Sequence, residues 1–288
     1  MAPLLNNLAG LYKTQGDFIK AEPLYTRALA IYEKALGLHH PNLAKVLSNL
    51  AGLYCALSDY AKAEPLYTRA LTIQEKALGP DHLDVATTLN NLALFYDTQG
   101  DCAKAEPLYA RALVICEKAL GPDHPKVATT LSNLAVLYET EGDYAKAEPL
   151  YERALSIKEK ALGPSHPSVA TTLGNLAGLY ETEGDYAKAE SLYTRALAIQ
   201  EIALGPSHPS VATTLNNLAF LFDRQGNYAK AEPFYTRALS IQEKALGPDH
   251  PDVATTLENL ASMYQKMNRN DEAETLKGRA ARIRAIKR

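Results

Sequence analysis

The sequence predicts an all-α fold of seven tandem helix-turn-helix units, and three observations carry that prediction. The chain superimposes on itself at a shift of 42 residues with no insertion. Apolar residues within each unit recur at helical spacing. Glycine, proline and histidine punctuate the same places from unit to unit.

The register is read from its columns. Tyr12, Tyr54, Tyr96, Tyr138, Tyr180, Phe222 and Tyr264 share one of them. Three more hold only alanine, running from Ala9 to Ala261, from Ala21 to Ala273 and from Ala28 to Ala280. Two antiparallel helices approach to about 8 Å only where small side chains face each other, so these columns mark helix contacts. The units fall at approximately 1–40, 41–82, 83–124, 125–166, 167–208, 209–250 and 251–288, a single array over the whole chain.

The fourth unit illustrates the elements. Val127, Leu131, Leu134, Ala135 and Tyr138 form the apolar stripe of a first helix. Gly142-Asp143 supplies a turn and a capping carboxylate. Tyr144, Ala147, Leu150, Tyr151, Ala154 and Leu155 then stripe a second helix. Gly163-Pro164 ends it, and His166-Pro167 opens the next, because proline suits the first helical position and the residue before it avoids helical geometry. Leu83 replaces one of these prolines. Pro23, Pro65, Pro107, Pro149 and Pro233 lie beyond the first turn of the second helix, where a distorted opening turn is expected. No unit buries its apolar face alone, so stability must come from stacking.

Composition narrows the function. At 47 % hydrophobic and 22 % charged residues the 288-residue chain has the material of a folded protein. A net charge of −3, from 30 basic and 33 acidic residues, gives no field for nucleic acid. Cys55, Cys102 and Cys116 match no zinc or redox spacing, which fits a reducing cytoplasm. No long apolar run suggests an export signal or a membrane span.

The unit pattern LxNLAxLYxxxGDYxKAExLYxRAL resembles the tetratricopeptide repeat, and the joint EKALGPDHPxVATTLNNLA is similar to the kinesin light chain type. The resemblance covers essentially the whole chain. It implies a right-handed α-α superhelix, a solenoid of seven helix-turn-helix repeats whose first helices line a concave groove. Motor attachment is not carried over by the resemblance, since the coiled coil that precedes the repeats of kinesin light chains does not occur in these residues. Regular arrays of this length also occur in bacterial proteins and beside signalling ATPase modules. Met1 aligns with Val85, inside a first helix, so the protein is expected to continue upstream.

On that arrangement several columns face the groove. Asn7, Asn49, Asn91, Asn133, Asn175, Asn217 and Asn259 form one, although asparagine costs roughly 0.5 kcal/mol against alanine inside a helix. These amides either grip the backbone of an extended peptide or bond to the neighbouring repeat and fix the stacking. Asn90, Ser132, Gly174 and Asn216 lie beside them. Without basic residues there, the clamp for chaperone C-terminal carboxylates is not expected. A second column places Asp97, Glu139, Glu181 and Asp223 near the ends of the first helices, where the dipole disfavours negative charge. They either select a basic ligand or pair with lysines of adjacent repeats. Gly178, with Gly174 one turn before it and Phe220 on the next repeat, outlines a pocket for a bulky side chain, or else a position free to vary.

Catalytic and cofactor groupings are not found. His40, His82, His124, His166, His208 and His250 recur one layer apart, too far to share a metal, and read as capping residues. Ser165-His166 and Ser207-His208 lack an orienting acid and an oxyanion site. No phosphate-cradling glycine loop occurs. The basic ending KGRAARIRAIKR either caps the last helix or meets an acidic partner. The sequence therefore predicts a non-enzymatic scaffold that holds a neutral or basic segment in its groove. The alternative is a structural module joined through its edges, convex face or ends.

Overall fold

The computed structural model describes residues 1–286. Among the described residues there are fourteen helices and no strand, paired in chain order. The first helices are α1 (Ala2–Thr14), α3 (Pro41–Ala56), α5 (Leu83–Thr98), α7 (Pro125–Glu141), α9 (Pro167–Glu183), α11 (Pro209–Arg224) and α13 (Pro251–Lys266). The second helices are α2 (Phe18–Leu36), α4 (Tyr60–Leu78), α6 (Cys102–Leu120), α8 (Tyr144–Leu162), α10 (Tyr186–Leu204), α12 (Tyr228–Leu246) and α14 (Asn270–Ile286). The chain forms two compact units, Met1–Leu150 and Tyr151–Arg288.

The caps form for local reasons. At each histidine entrance the Nδ1 atom accepts the backbone N–H two residues on, at 3.1–3.2 Å, so these six histidines are helix caps. Asp17, Asp101, Asp143, Asp185 and Asn227 accept the backbone N–H of the lysine three residues later and start the second helices. Gly142 and Gly184 end α7 and α9 at φ of 79° and 86°, a conformation that glycine enters without strain.

The distortion expected at the second-helix prolines does not occur. Those helices run unbroken through Pro23, Pro65, Pro107, Pro149 and Pro233. Asp101, capping α6, has ψ of 66°, but Asp185 has 69° ahead of a helix that carries Ser191 instead, so the cap geometry is independent of proline. The carbonyls that lose a donor belong to exposed residues such as Ala61, Ala103 and Ala229, which water can reach.

In the first unit, Ala51, Ala63, Tyr67, Leu92 and Phe95 form one core cluster, and Ala93, Ala105, Tyr109, Leu134 and Leu137 another. In the second, Val169, Ala170, Leu173, Ala196 and Ile199 repeat the theme, as do Val211, Ala212, Leu215, Ala238 and Ile241. Every alanine of the three columns is 0–1 % exposed, as close helix approach requires. Each fully buried leucine such as Leu131 contributes about 1.5–3 kcal/mol over leaving it in water.

Polar staples repeat with the register on the outside. Tyr54, Tyr96 and Tyr138 donate to Glu22, Glu64 and Glu106 of the preceding pair at 2.8, 2.7 and 2.6 Å. Lys62, Lys104 and Lys146 lie over the same rings at 4.9, 4.8 and 4.7 Å. Within each unit consecutive first helices touch, α1 with α3, α3 with α5 and α5 with α7, then α9 with α11 and α11 with α13. The second helices α2 and α4, α4 and α6, α10 and α12, and α12 and α14 do not, among the described residues. The first-helix side is therefore the inner side of each stack.

Candidate functional site

Six of the seven asparagines of the column are half-buried on that inner side and divide into two groups; the seventh, Asn7, is exposed and accepts from the Asn6 amide at 3.4 Å. Asn49, Asn133 and Asn259 donate Nδ2 to Oδ1 of Asn6, Asn90 and Asn216 in the preceding repeat, at 3.0, 3.1 and 3.3 Å. These amides fix stacking. Asn91, Asn175 and Asn217 make no side-chain hydrogen bond to any described residue. The reason is local: the position before Asn217 in the previous repeat is Gly174, which has no side chain, and the position before Asn91 is Ser48, whose hydroxyl lies 3.4 Å from that of Thr88.

The open amides border the hollows of this face. Asn49 and Asn91 line one of about 260 Å³ in the first unit, with Gly52, Lys13, Cys55 and Phe95 around it. Burial lowers the Lys13 pKa and raises that of the Cys55 thiol. Asn175 and Asn217 line another of about 230 Å³ in the second unit, beside Gly174, Thr171, Thr213 and Gln200. A Cβ added at Gly174 would meet nothing within 4 Å, so the missing side chain opens this hollow. A larger hollow of about 770 Å³ lies away from this face, on α4 against the turn at Leu38 and His39.

The acidic column is not a uniform charged strip. Asp97 is half-buried, and its pKa is raised by burial and then by Glu141. Glu139 is half-buried as well. Glu181 and Asp223 are 7 % and 4 % exposed. Glu181 accepts from the Tyr193 hydroxyl at 3.3 Å and lies 4.0 Å from Arg224; burial, opposed by both partners, raises its pKa. Asp223 Oδ2 accepts from Lys266 of the next repeat at 2.8 Å, which realises lysine pairing at this position.

Phe220 is 37 % exposed and Gly178 half-buried on neighbouring first helices of the second unit. In the basic ending, Arg284 bonds Glu258 and Thr255 and so binds α14 to α13. Lys287 and Arg288 lie outside the described residues. Among the described residues no group of three metal-ligating side chains gathers, and no helix is long and apolar enough to cross a membrane.

Reading the sequence alone places Lys13 and Gly52 in groove columns but misses Lys266 and the second-helix tyrosines Tyr193 and Tyr235, which lie by the acids Glu181 and Asp223. Their signal was a tyrosine column in the second helix with a hydroxyl to satisfy, where phenylalanine would fill space equally well.

Paired helices of this register, with every small-residue column buried, have a direct counterpart among known families. The model of the tetratricopeptide repeat matches residues 1–76, 44–113, 84–160, 137–202, 168–244 and 210–285. The chain belongs to the tetratricopeptide repeat family. Among solved structures, this tetratricopeptide array is similar to BtubC (BKLC) from P. vanneervenii, 29 % identical over 80 % of this chain and 92 % of that one, with a TM-score of 0.68. It is similar also to a kinesin light chain-type protein of Podosopora anserina with nearly identical TPR-like repeats, 28 % identical over 72 % of this chain and 98 % of that one, TM-score 0.60. The Rap conjugation gene regulator of the plasmid pLS20, in complex with the Phr* peptide, shares the fold at 14 % identity and a TM-score of 0.66, over 96 % of this chain and 72 % of the regulator. No curated protein matches the chain. Tetratricopeptide repeats generally mediate protein–protein interaction, and such scaffolds are generally non-enzymatic.

Proposed function

We propose that this tetratricopeptide protein is a binding scaffold whose first-helix face takes up an extended segment of another protein or a peptide. The observation that carries the reading is the coincidence of unengaged amides with open space: Asn91 at one hollow, Asn175 and Asn217 at the other. An amide offers two donors and an acceptor, the complement of a peptide backbone, and recognises it with little regard to side chains. The peptide complex of the Rap regulator adds support, since the same fold there holds a peptide.

Asp97, Glu139, Glu181 and Asp223 favour a neutral or basic segment over an acidic one. Phe220 beside Gly178 offers an apolar contact within reach of the same segment. Three free cysteines suit a reducing, cytoplasmic setting. The test is nuclear magnetic resonance of the asparagine side-chain amides during titration with a pool of acetylated hexapeptide amides. Signals of Asn91, Asn175 and Asn217 should move while those of Asn49, Asn133 and Asn259 stay. Movement of neither group contradicts the reading.

A second reading has its own observation. Met1, Leu4, Leu8 and Leu11 are 79, 72, 38 and 53 % exposed, whereas their counterparts one repeat later, Leu43, Val46, Leu50 and Leu53, are at most 4 % exposed. A face of this kind is one that a further repeat or a second copy of the chain would cover. Dimers at micromolar concentration that are lost in Leu8→Glu would support it.

A further inference from the structure

In the second unit the acidic column holds a buried group whose bonding is incomplete. Asp223 is 4 % exposed; Lys266 reaches Oδ2 at 2.8 Å, and buried Oδ1 has no partner. The Tyr235 hydroxyl, on a residue with no exposed surface, has no partner either. It lies in the field of the same carboxylates, since both Asp223 and Glu181 add to the burial that suppresses its ionisation. Glu181, itself buried, completes the group, with Tyr193 on one oxygen and Arg224 at 4.0 Å from the other. Leaving buried polar atoms unmatched is costly, and native structures rarely do so without a reason. An ammonium on a flexible stem has engaged one carboxylate oxygen here, whereas a guanidinium presents parallel donors to two.

We propose that Lys266 is an internal occupant of an arginine socket formed by Asp223, Glu181 and Tyr235, and that an arginine side chain of the bound segment displaces it. The inference rests on the reading of the first-helix face as the binding surface and names one side chain of its ligand. The arginine fork bridges both oxygens of Asp223, so that the buried Oδ1 gains the donor it lacks. Lys266, nearly half-exposed, swings into water, where its charge is solvated at little cost. Free protein is thereby held with its socket filled, and ligands without arginine are disfavoured because they cannot replace that contact.

The test uses N-acetylargininamide, with N-acetyllysinamide as comparison, titrated into the full chain and followed by carboxylate resonances of Glu181 and Asp223. Lys266→Met removes the occupant and should tighten arginine binding about tenfold, with a smaller gain for lysine, and the probe should raise the melting temperature of this variant. Lys266→Arg supplies the fork internally; it should melt above the wild type and bind the probe more weakly. Asp223→Asn should abolish binding in every background. Equal probe affinity in wild type and Lys266→Arg, or binding indifferent to Asp223→Asn, overturns the socket. The probe does not need the amide hollow, so Asn217→Ala should leave its binding unchanged; failure of the socket is thus separable from failure of the peptide-binding reading.

Discussion

Asn133 donates its amide to Asn90 of the preceding repeat at 3.1 Å, while Asn217, in the same column, faces Gly174 and bonds to nothing described. One sequence column thus holds amides in two bonding states. Replacing Asn133 with alanine loses a bond worth about 0.5–1.5 kcal/mol, partly offset by the roughly 0.5 kcal/mol that alanine gains in a helix. Asn217→Ala loses no bond and keeps the gain. Urea denaturation should therefore place Asn217→Ala above the wild type and Asn133→Ala at or below it, about 1 kcal/mol apart.

Gly174→Asn restores the partner that Asn217 lacks. The side chain has room, since nothing lies within 4 Å of its Cβ. Helix propensity and the new amide bond together should stabilise the second unit by about 1 kcal/mol, read as slower hydrogen exchange in α9 and α11. The same substitution fills the hollow of about 230 Å³ and should weaken peptide capture.

The bond from Tyr96 to Glu64, 2.7 Å long and roofed by Lys104, recurs between pairs and is a test of the outer staples. Tyr96→Phe keeps the ring and the cation over it but removes the donor. A loss of about 0.5–1.5 kcal/mol is expected in thermal or urea unfolding, with no effect on the inner face. An unchanged midpoint would leave the staple without energetic weight.

Stability should depend on pH through Glu181. Burial raises its folded pKa above the ordinary 4.5, against the pull of Arg224 and Tyr193. Folding therefore gains from this group below the unfolded value and loses that gain as pH rises through the folded one. Glu181→Gln removes the dependence: its midpoint should exceed that of the wild type at pH 8, with the difference shrinking as pH falls below 4.5. A constant difference across that range would contradict the assignment.

Much of this was legible in the residues. The 42-residue register, the alanine columns and the histidine caps each follow from steric or bonding rules that act within a few residues, and the structure realises all three. The division of the asparagines was present too, in the residue that precedes each of them one repeat earlier, but reading it required knowing that consecutive first helices touch. The acids were harder. A column gives a position along a helix but not what closes over it, and from the second helices Tyr193 bonds Glu181 while Tyr235 lies in the field of Glu181 and Asp223. The prolines misled because a lost donor was expected to distort the turn, whereas the residues left without one, Ala61 and Ala103 among them, are exposed.

The central claim is that open amides bind and stapled amides stack. Fluorescence anisotropy with a positional-scanning library of acetylated hexapeptide amides tests it on four variants: Asn175→Ala, Asn217→Ala, Asn133→Ala and Asn259→Ala. Loss of one or two amide contacts should weaken capture about tenfold in the first two, and the last two should stay within about twofold of wild type. Equal loss in all four, or no loss in Asn175→Ala and Asn217→Ala, would contradict the account.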